Sequence, residues 1–341
     1  MRKNVKSQKV MQVRAAVLSH YEDVARKLGV NPLPLLSKVG LTRRMLTAPT
    51  QLIPIYKAVS LLELTAKASA CDTVGLMMAE TRVLADFGPI SLLLLQQPTV
   101  RSALNTITQY RDILNESLAM YIENAGKLTL IREEIMIDHP SGIDQATDMA
   151  IGLLPLIFRA ILGSYWRPQS VHFTHAESQN TQIYKRLFKC PLHFNSDFNG
   201  LICLTSDIDQ VNTQADATMA SYAQSFMDTI PKSGQSSIEL DVRRAVYLML
   251  PMGRANISQV ASGMDMNVRF LQRRLDESDI SFSNILNDVR CELAQRYIAN
   301  TNYSLGRIAE LLGYSNLSSF TRWFIAQFQC APSQMRSSIG F

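Results

Sequence analysis

No run in this sequence is apolar over the roughly 20 residues that a membrane-spanning helix needs. Ile90 to Leu95 is too short, and Met149 to Leu162 is interrupted by Pro155 and Arg159. The N-terminal segment carries Arg2, Lys3, Lys6 and Lys9, but the apolar run behind it is broken by Arg14 and ends near Glu22 and Asp23. A signal-peptide core is therefore lacking. Cysteine is scarce and odd in number: Cys71, Cys190, Cys203, Cys291 and Cys330. No two stand at the spacing of a zinc or redox motif, so reduced core thiols are expected rather than a disulfide framework. A G-x-S-x-G elbow, a phosphate loop and paired metal ligands are also missing. These absences predict a soluble, cytoplasmic protein with no catalytic residues, no cofactor, no metal and no membrane partner.

Lysine is absent after Lys232, and the cations beyond it are arginines, including Arg269, Arg273, Arg274 and Arg322. The planar arginine fork can grip a guanine edge or a phosphate with two bonds, where lysine acts as a point charge. The net charge of +5 permits a nucleic-acid partner without demanding one. What is abundant is apolar: 47% of the 341 residues are hydrophobic and 18% charged, so real cores can be buried. At roughly 100–200 residues per domain, the length fits two domains.

The first is expected over 12–210 as an α+β unit. Up to about Leu114, residues such as Ala16, Val17, Val24 and Leu28, then Leu61, Leu62 and Leu64, recur at helical spacing. Residues 118–137 instead alternate about a turn at 124–127, which predicts a hairpin. A helix is predicted over 146–162. Short strands are predicted at 171–173 and 201–204, around a helix at 181–188. A linker region over 211–236 holds a polar stretch, one short helix and a turn-rich run from Pro231. An all-α domain is expected over 237–341.

That last domain repeats itself. Val260-Ala261 aligns with Ile308-Ala309 at an offset of 48, and 271–275 aligns with 320–324 at an offset of 49. Two copies of one supersecondary unit are implied. Each has the pattern of a helix-turn-helix: a small residue at a close crossing, Ala261 or Ala309, then a turn, then a capped amphipathic helix. Gly313 suits the second turn because glycine accepts positive φ, and Asp265 stands in its place in the first. Asn267, and Ser315 or Asn316, are the expected N-caps. Phe270, Leu271 and Leu275 should bury in the first unit, and Phe320, Trp323, Phe324 and Phe328 in or near the core of the second. Between the units, Ile285, Val289, Leu293 and Tyr297 mark the buried stripe of a long helix. Such a rod could hold two probe helices about 34 Å apart, one turn of DNA. Arg290 and Arg296 are candidates for phosphate contacts.

The motifs Arg307-Ile-Ala-Glu-Leu-Leu-Gly-Tyr-Ser315, Ser319-Phe-Thr-Arg-Trp-Phe324 and Ala331-Pro332 together resemble the signature of the AraC/XylS family of transcription regulators. The first unit, from Val260-Ala261 through Leu271-Gln-Arg-Arg-Leu275 to Ser281-Phe282, is similar to that family's first helix-turn-helix. The resemblance implies base contacts from Arg269, Gln272 and Arg273 in one unit and from Leu317, Ser318, Ser319 and Arg322 in the other. Cys330 stands where the family usually has glycine, and Met335 where it often has tyrosine. Phe87-Gly88, Leu92-Leu-Leu-Leu95, Pro98-Thr-Val-Arg-Ser-Ala-Leu104, Tyr110-Arg111 and Trp166-Arg167-Pro168 resemble the arabinose-binding-like effector domain of a subgroup of the family. That likeness implies an unidentified small-molecule effector, a homodimer, double-stranded promoter DNA as partner and contact with RNA polymerase, with activation as the outcome.

Other features have plainer readings. His172 and His175, three apart on a strand, fall on opposite faces and read as structural rather than metal-binding. Cys190 and Cys203 read as core thiols, and 92–95 as core rather than ligand wall. Arg82, Arg101 and Arg111 could meet an anionic effector, but structural pairing is the safer reading. Two rival functions stay open: an enzyme fused to a DNA-binding module, with Cys190 after Lys189 as its nucleophile, and a first domain that only oligomerises.

Overall fold

The computed structural model describes residues 10–137, 139, 142–230, 237–299 and 303–339. Strands β1 (Gln12–Arg14) and β2 (Leu52–Pro54) pair antiparallel and bracket three short helices, α1 (Tyr21–Lys27), α2 (Pro32–Lys38) and α3 (Arg43–Leu46). Helix α2 begins at Pro32 because Asn31 caps it, accepting a bond from the Leu33 amide, while proline at the first position forfeits no helical bond. Then come α4 (Ile55–Ser69), α5 (Val74–Glu80), a 3-10 turn at Leu84–Phe87, α6 (Ile90–Leu95), α7 (Val100–Gln109) and α8 (Arg111–Leu114).

The expected hairpin is present as β3 (Leu118–Ala125) and β4 (Leu128–Ile135). With β5 (Ser170–His172), β6 (Leu192–His193) and β7 (Gly200–Leu204) it makes a five-stranded sheet in the order β3-β4-β7-β5-β6, antiparallel except between β5 and β6. Helix α9 (Asp144–Leu162) is longer than the sequence run suggested, and by length and composition it could cross a membrane. It lies instead mostly inside the protein, with Ile151, Leu154, Ile157 and Phe158 in the core. A Cβ at Gly152 would sit 2.7 Å from that of Ala79, so α5 and α9 approach this closely only because the residue is glycine. Helices α10 (Gln182–Phe188), α11 (Thr205–Ile208) and α12 (Ala217–Thr229) follow. Helix α12 falls within the segment read as a linker region and sends Met227 into the first domain's core. The turn-rich run over 231–236 lies outside the described residues.

The rest is helical, as the α+β then all-α reading requires: α13 (Ile238–Met249), α14 (Ile257–Gly263), α15 (Val268–Asp276), α16 (Phe282–Ala299), α17 (Leu305–Leu311), α18 (Leu317–Phe328) and α19 (Pro332–Ile339). Their core does not stop at the domain boundary. Ala119 of β3 and Met136 belong to the same apolar cluster as Val242, Val246 and Val289. The alternation of the hairpin explains how. Leu118 and Met120 of β3, with Glu133 and Ile135 of β4, line a cavity in the first domain. Ala119 and Tyr121 point the other way and pack against the second domain's core.

Several expectations need correction. Phe270 is half-buried rather than buried, and the Arg273 and Arg274 guanidiniums lie 5.3 and 6.0 Å from its ring centre. Of the five cysteines only Cys203 is fully buried, although all are free thiols. Leu93 and Leu94 are core, but Leu92 and Leu95 face outward. Burial raises the Cys190 thiol to about 11 despite Arg159 and Arg167, so it lacks the thiolate character of a nucleophile.

Candidate nucleic-acid interface

The internal repeat is visible bond by bond. Helix α14 ends where the Met266 amide donates to the Ala261 carbonyl at 2.9 Å, and α17 ends where the Tyr314 amide donates to Ala309 at 2.9 Å. Both are the six-residue closing bond of a left-handed helix terminus. The residue that turns the chain is Asp265 at φ 54° in the first unit and Gly313 at φ 76° in the second. Each probe helix is then capped by asparagine. Asn267 accepts from the Phe270 amide at 2.8 Å, and Asn316, rather than Ser315, accepts from the Ser319 amide at 2.8 Å.

Burial of one face fixes the direction of the other. In α15, Leu271 and Leu275 are buried, which leaves Arg269, Gln272 and Arg273 exposed. Arg273 reaches only a 3.8 Å pairing with the exposed Glu277. In α18, Phe320 and Phe324 are buried beneath a cluster with Tyr314, Trp323 and Phe328. Leu317, Ser318 and Arg322 are exposed, and Ser319 is half-buried. Among the described residues, none of these seven side chains has a hydrogen bond or ion pair to the first domain.

The rod α16 has 18 residues, about 27 Å at 1.5 Å per residue. Ile285, Val289, Leu293 and Tyr297 are its buried stripe. It holds the second unit by side-chain bonds: Trp323 Nε1 donates to Asn287 Oδ1 at 2.8 Å, and Arg290 Nε donates to the Leu312 carbonyl at 3.0 Å. Arg290 also lies 4.8 Å from the Tyr314 ring centre. Arg290 and Arg296, read as candidates for phosphate contacts, thus also have partners within the protein. Arg296 binds Glu134 of the first domain at 3.1 Å, and that carboxylate offsets the lowering that burial alone would impose on the guanidinium.

Further pairs fasten the two domains. Buried Arg244 donates to Asp112 at 2.9 Å and to the Glu116 carbonyl at 2.7 Å. Arg111 pairs with Asp241, Arg254 with Glu123 at 2.6 Å, and Arg307 with Asp197. The Tyr303 hydroxyl donates to the Ser196 carbonyl at 2.8 Å. Sequence reasoning missed this seam, because its partners lie more than 100 residues apart. Arg101 and Arg111 are thus structural, with Arg101 held by Asp209 at 2.6 Å and by Asn124 at 2.9 Å. His175 is also structural: it binds the buried Asp148 at 2.9 Å, whose other oxygen accepts from the Tyr184 hydroxyl at 2.6 Å.

Arg82 differs. With Glu133 it faces the cavity, whose walls are otherwise mostly apolar side chains of α4, α9 and the hairpin. Burial, with Glu134 adjacent, raises the Glu133 carboxyl to about 8. The folded protein therefore keeps a proton that the unfolded chain releases near pH 4.5, and stability falls as pH rises from about 4.5 to about 8. Glu133→Gln removes this term. The variant should melt higher than the parent at pH 8.5, by at least about 2 °C, with the difference shrinking toward pH 5. Calorimetry across that range checks it, and parallel curves would refute the assignment.

The comparisons agree with this architecture. The arabinose-binding domain of AraC transcription regulators matches residues 29–212, and a helix-turn-helix domain matches 260–338. The chain is similar to the HTH-type transcriptional regulator VirS of Mycobacterium tuberculosis, 24% identical over 328 residues, covering 95% of this chain and 96% of that one. It is also similar to the HTH-type transcriptional regulator VqsM of Pseudomonas aeruginosa, 23% identical over 280 residues, covering 77% and 83%. Among solved structures it is similar to the transcriptional regulator CdpR of Pseudomonas aeruginosa, with a TM-score of 0.44, 18% identity and coverage of 90% and 96%. The match over more than half its length places this chain in the AraC family, as a DNA-binding transcription regulator with an N-terminal arabinose-binding-like domain.

Proposed function

We propose that the chain reads double-stranded promoter DNA in two successive major grooves. In this reading α15 presents Arg269, Gln272 and Arg273, and α18 presents Leu317, Ser318, Ser319 and Arg322. Arginine suits guanine, glutamine suits adenine, and Leu317 can meet a thymine methyl. The observation that carries the proposal is the capped and outward face of both helices, held on one rod. Residues from 12 to the end of α12 serve as effector and dimerisation domain, the segment after α12 as linker and 237–341 as DNA-binding domain. A small organic effector bound by the first domain shifts the balance between arrangements that do and do not suit the promoter. The outcome is activation through contact with RNA polymerase by a homodimer. Two partial relatives from Escherichia coli are named as activators: the HTH-type transcriptional activator FapR, 26% identical over 83 residues, and the transcriptional activator AggR, 25% identical over 134 residues.

Footprinting of the full chain on fragments of its source genome tests this. The expected result is paired protections whose centres lie about one helical turn, roughly 10 base pairs, apart on one face of the duplex. Uniform protection without sequence preference would refute it.

A further inference from the structure

The cavity in the first domain holds a buried cation that its neighbours offset only in part. Arg82 is 8% exposed, and its Nε and Nη1 atoms have no hydrogen-bond partner among the described residues. Burial lowers its pKa, the mark of a cation taken from water without full compensation. Of the polar groups in the walls, Asp86 offsets it in part, but the lowering by burial prevails. Asp86 accepts from the Val83 amide at 2.9 Å and lies 3.4 Å from His20. Asn115 Oδ1 is occupied by the Ser117 amide and hydroxyl. Arg14 adds a second cation. Glu133 is kept protonated at neutral pH by its burial, and its Oε2 also lacks a hydrogen-bond partner among the described residues. The remaining walls are chiefly aliphatic, among them Val59, Leu62, Met149 and Leu153.

A single anionic group beside an apolar body answers all of this. A pentose would not: its hydroxyls would meet more aliphatic wall than polar partners, and each unbonded one would be costly. The cavity volume is about 130 Å³, close to that of a protein cavity known to take benzene.

We propose that the cavity binds a small amphiphilic monocarboxylate, with the carboxylate on Arg82 and an aliphatic or aromatic body of about six or seven carbons against α4 and α9. This rests on the effector-sensing reading above and names the effector's class. The protonated Glu133 supplies a donor to the ligand's polar end rather than a repulsive charge.

The test uses the full chain, with octanoate and benzoate as probes and octanol, benzyl alcohol, L-arabinose and inorganic phosphate as comparisons. Calorimetric titration should show one saturable site for at least one carboxylate, bound about tenfold or more tighter than its alcohol. Arg82→Gln should remove that advantage. It should also raise the melting temperature of the ligand-free protein, because it deletes a buried charge that is only partly compensated, whereas an arginine with a purely structural role would lower it when lost. Ala150→Leu, which fills the cavity, should weaken both carboxylate and alcohol. Equal binding of acid and alcohol, unchanged carboxylate affinity in Arg82→Gln, or preference for arabinose or phosphate would overturn the proposal. Promoter binding is measured separately. Carboxylate binding that leaves promoter occupancy unchanged would support this site and refute the sensing role. Promoter occupancy that responds to other compounds, with no carboxylate bound, would refute this site alone.

Discussion

Alanine at both Arg273 and Arg322 will abolish discrimination between the operator and unrelated DNA. Each arginine that reads a base contributes about 1–3 kcal/mol of preference. The two stand on separate helices, α15 and α18, with no shared partner, so their losses should add, to roughly 30-fold to 10⁴-fold in operator affinity. Both side chains are exposed, and Arg273 has a long pairing with Glu277 and an exposed contact with the Phe270 ring, so folding should lose little. Competition titrations at fixed salt separate the possible roles. Loss confined to the operator assigns base reading. Equal loss on every sequence, with a shallower salt dependence, assigns phosphate contact instead. No loss would remove the residue from the interface.

The second large effect lies at the seam between the domains. Arg244 is 4% exposed and touches Asp112, Asp241 and the Glu116 carbonyl. Arg244→Met keeps most of the apolar stem and deletes the charge. Two carboxylates then lose a shared cation in a poorly hydrated seam, where removing one member of a buried pair costs about 3 kcal/mol or more. A fall of roughly 6–12 °C in Tm is expected, read by scanning calorimetry. Asp112→Asn should show a smaller loss, since Asp241 still engages Arg244. A variant as stable as its parent would mean that the seam contributes no net stability.

How much of this was legible in the sequence depends on the range of the interactions involved. Helix caps, turns and periodicity act within a few residues, so Asn267, Asp265, Gly313 and the stripe from Ile285 to Tyr297 could be read directly. The outward placement of Arg269, Gln272, Arg273 and Arg322 followed from the same periodicity. Phe270 misled because an aromatic ring beside two arginines can be covered by their guanidiniums rather than by the core. Arg296 was read only in part, for another reason. Its position near the repeat suggested DNA, but its partner, Glu134, lies 162 residues away on a strand. No local pattern encodes that pairing. The cavity was less legible: Arg82 was one of three arginines that could meet an anion, with structural pairing the safer reading, and nothing local in the sequence marks Glu133 as a buried wall residue.

Glu133 and Glu134 are neighbours in sequence that face different compartments. One borders the sensor cavity, and the other grips the rod that carries the probe helices. A strand with such an arrangement is intolerant of insertion or deletion. Adding a single residue before Glu133 would exchange every inward side chain for an outward one, emptying the cavity wall and unseating the rod together. Descendants of this protein can therefore retune the hairpin by replacing residues, but its length should stay fixed while the loops around it drift.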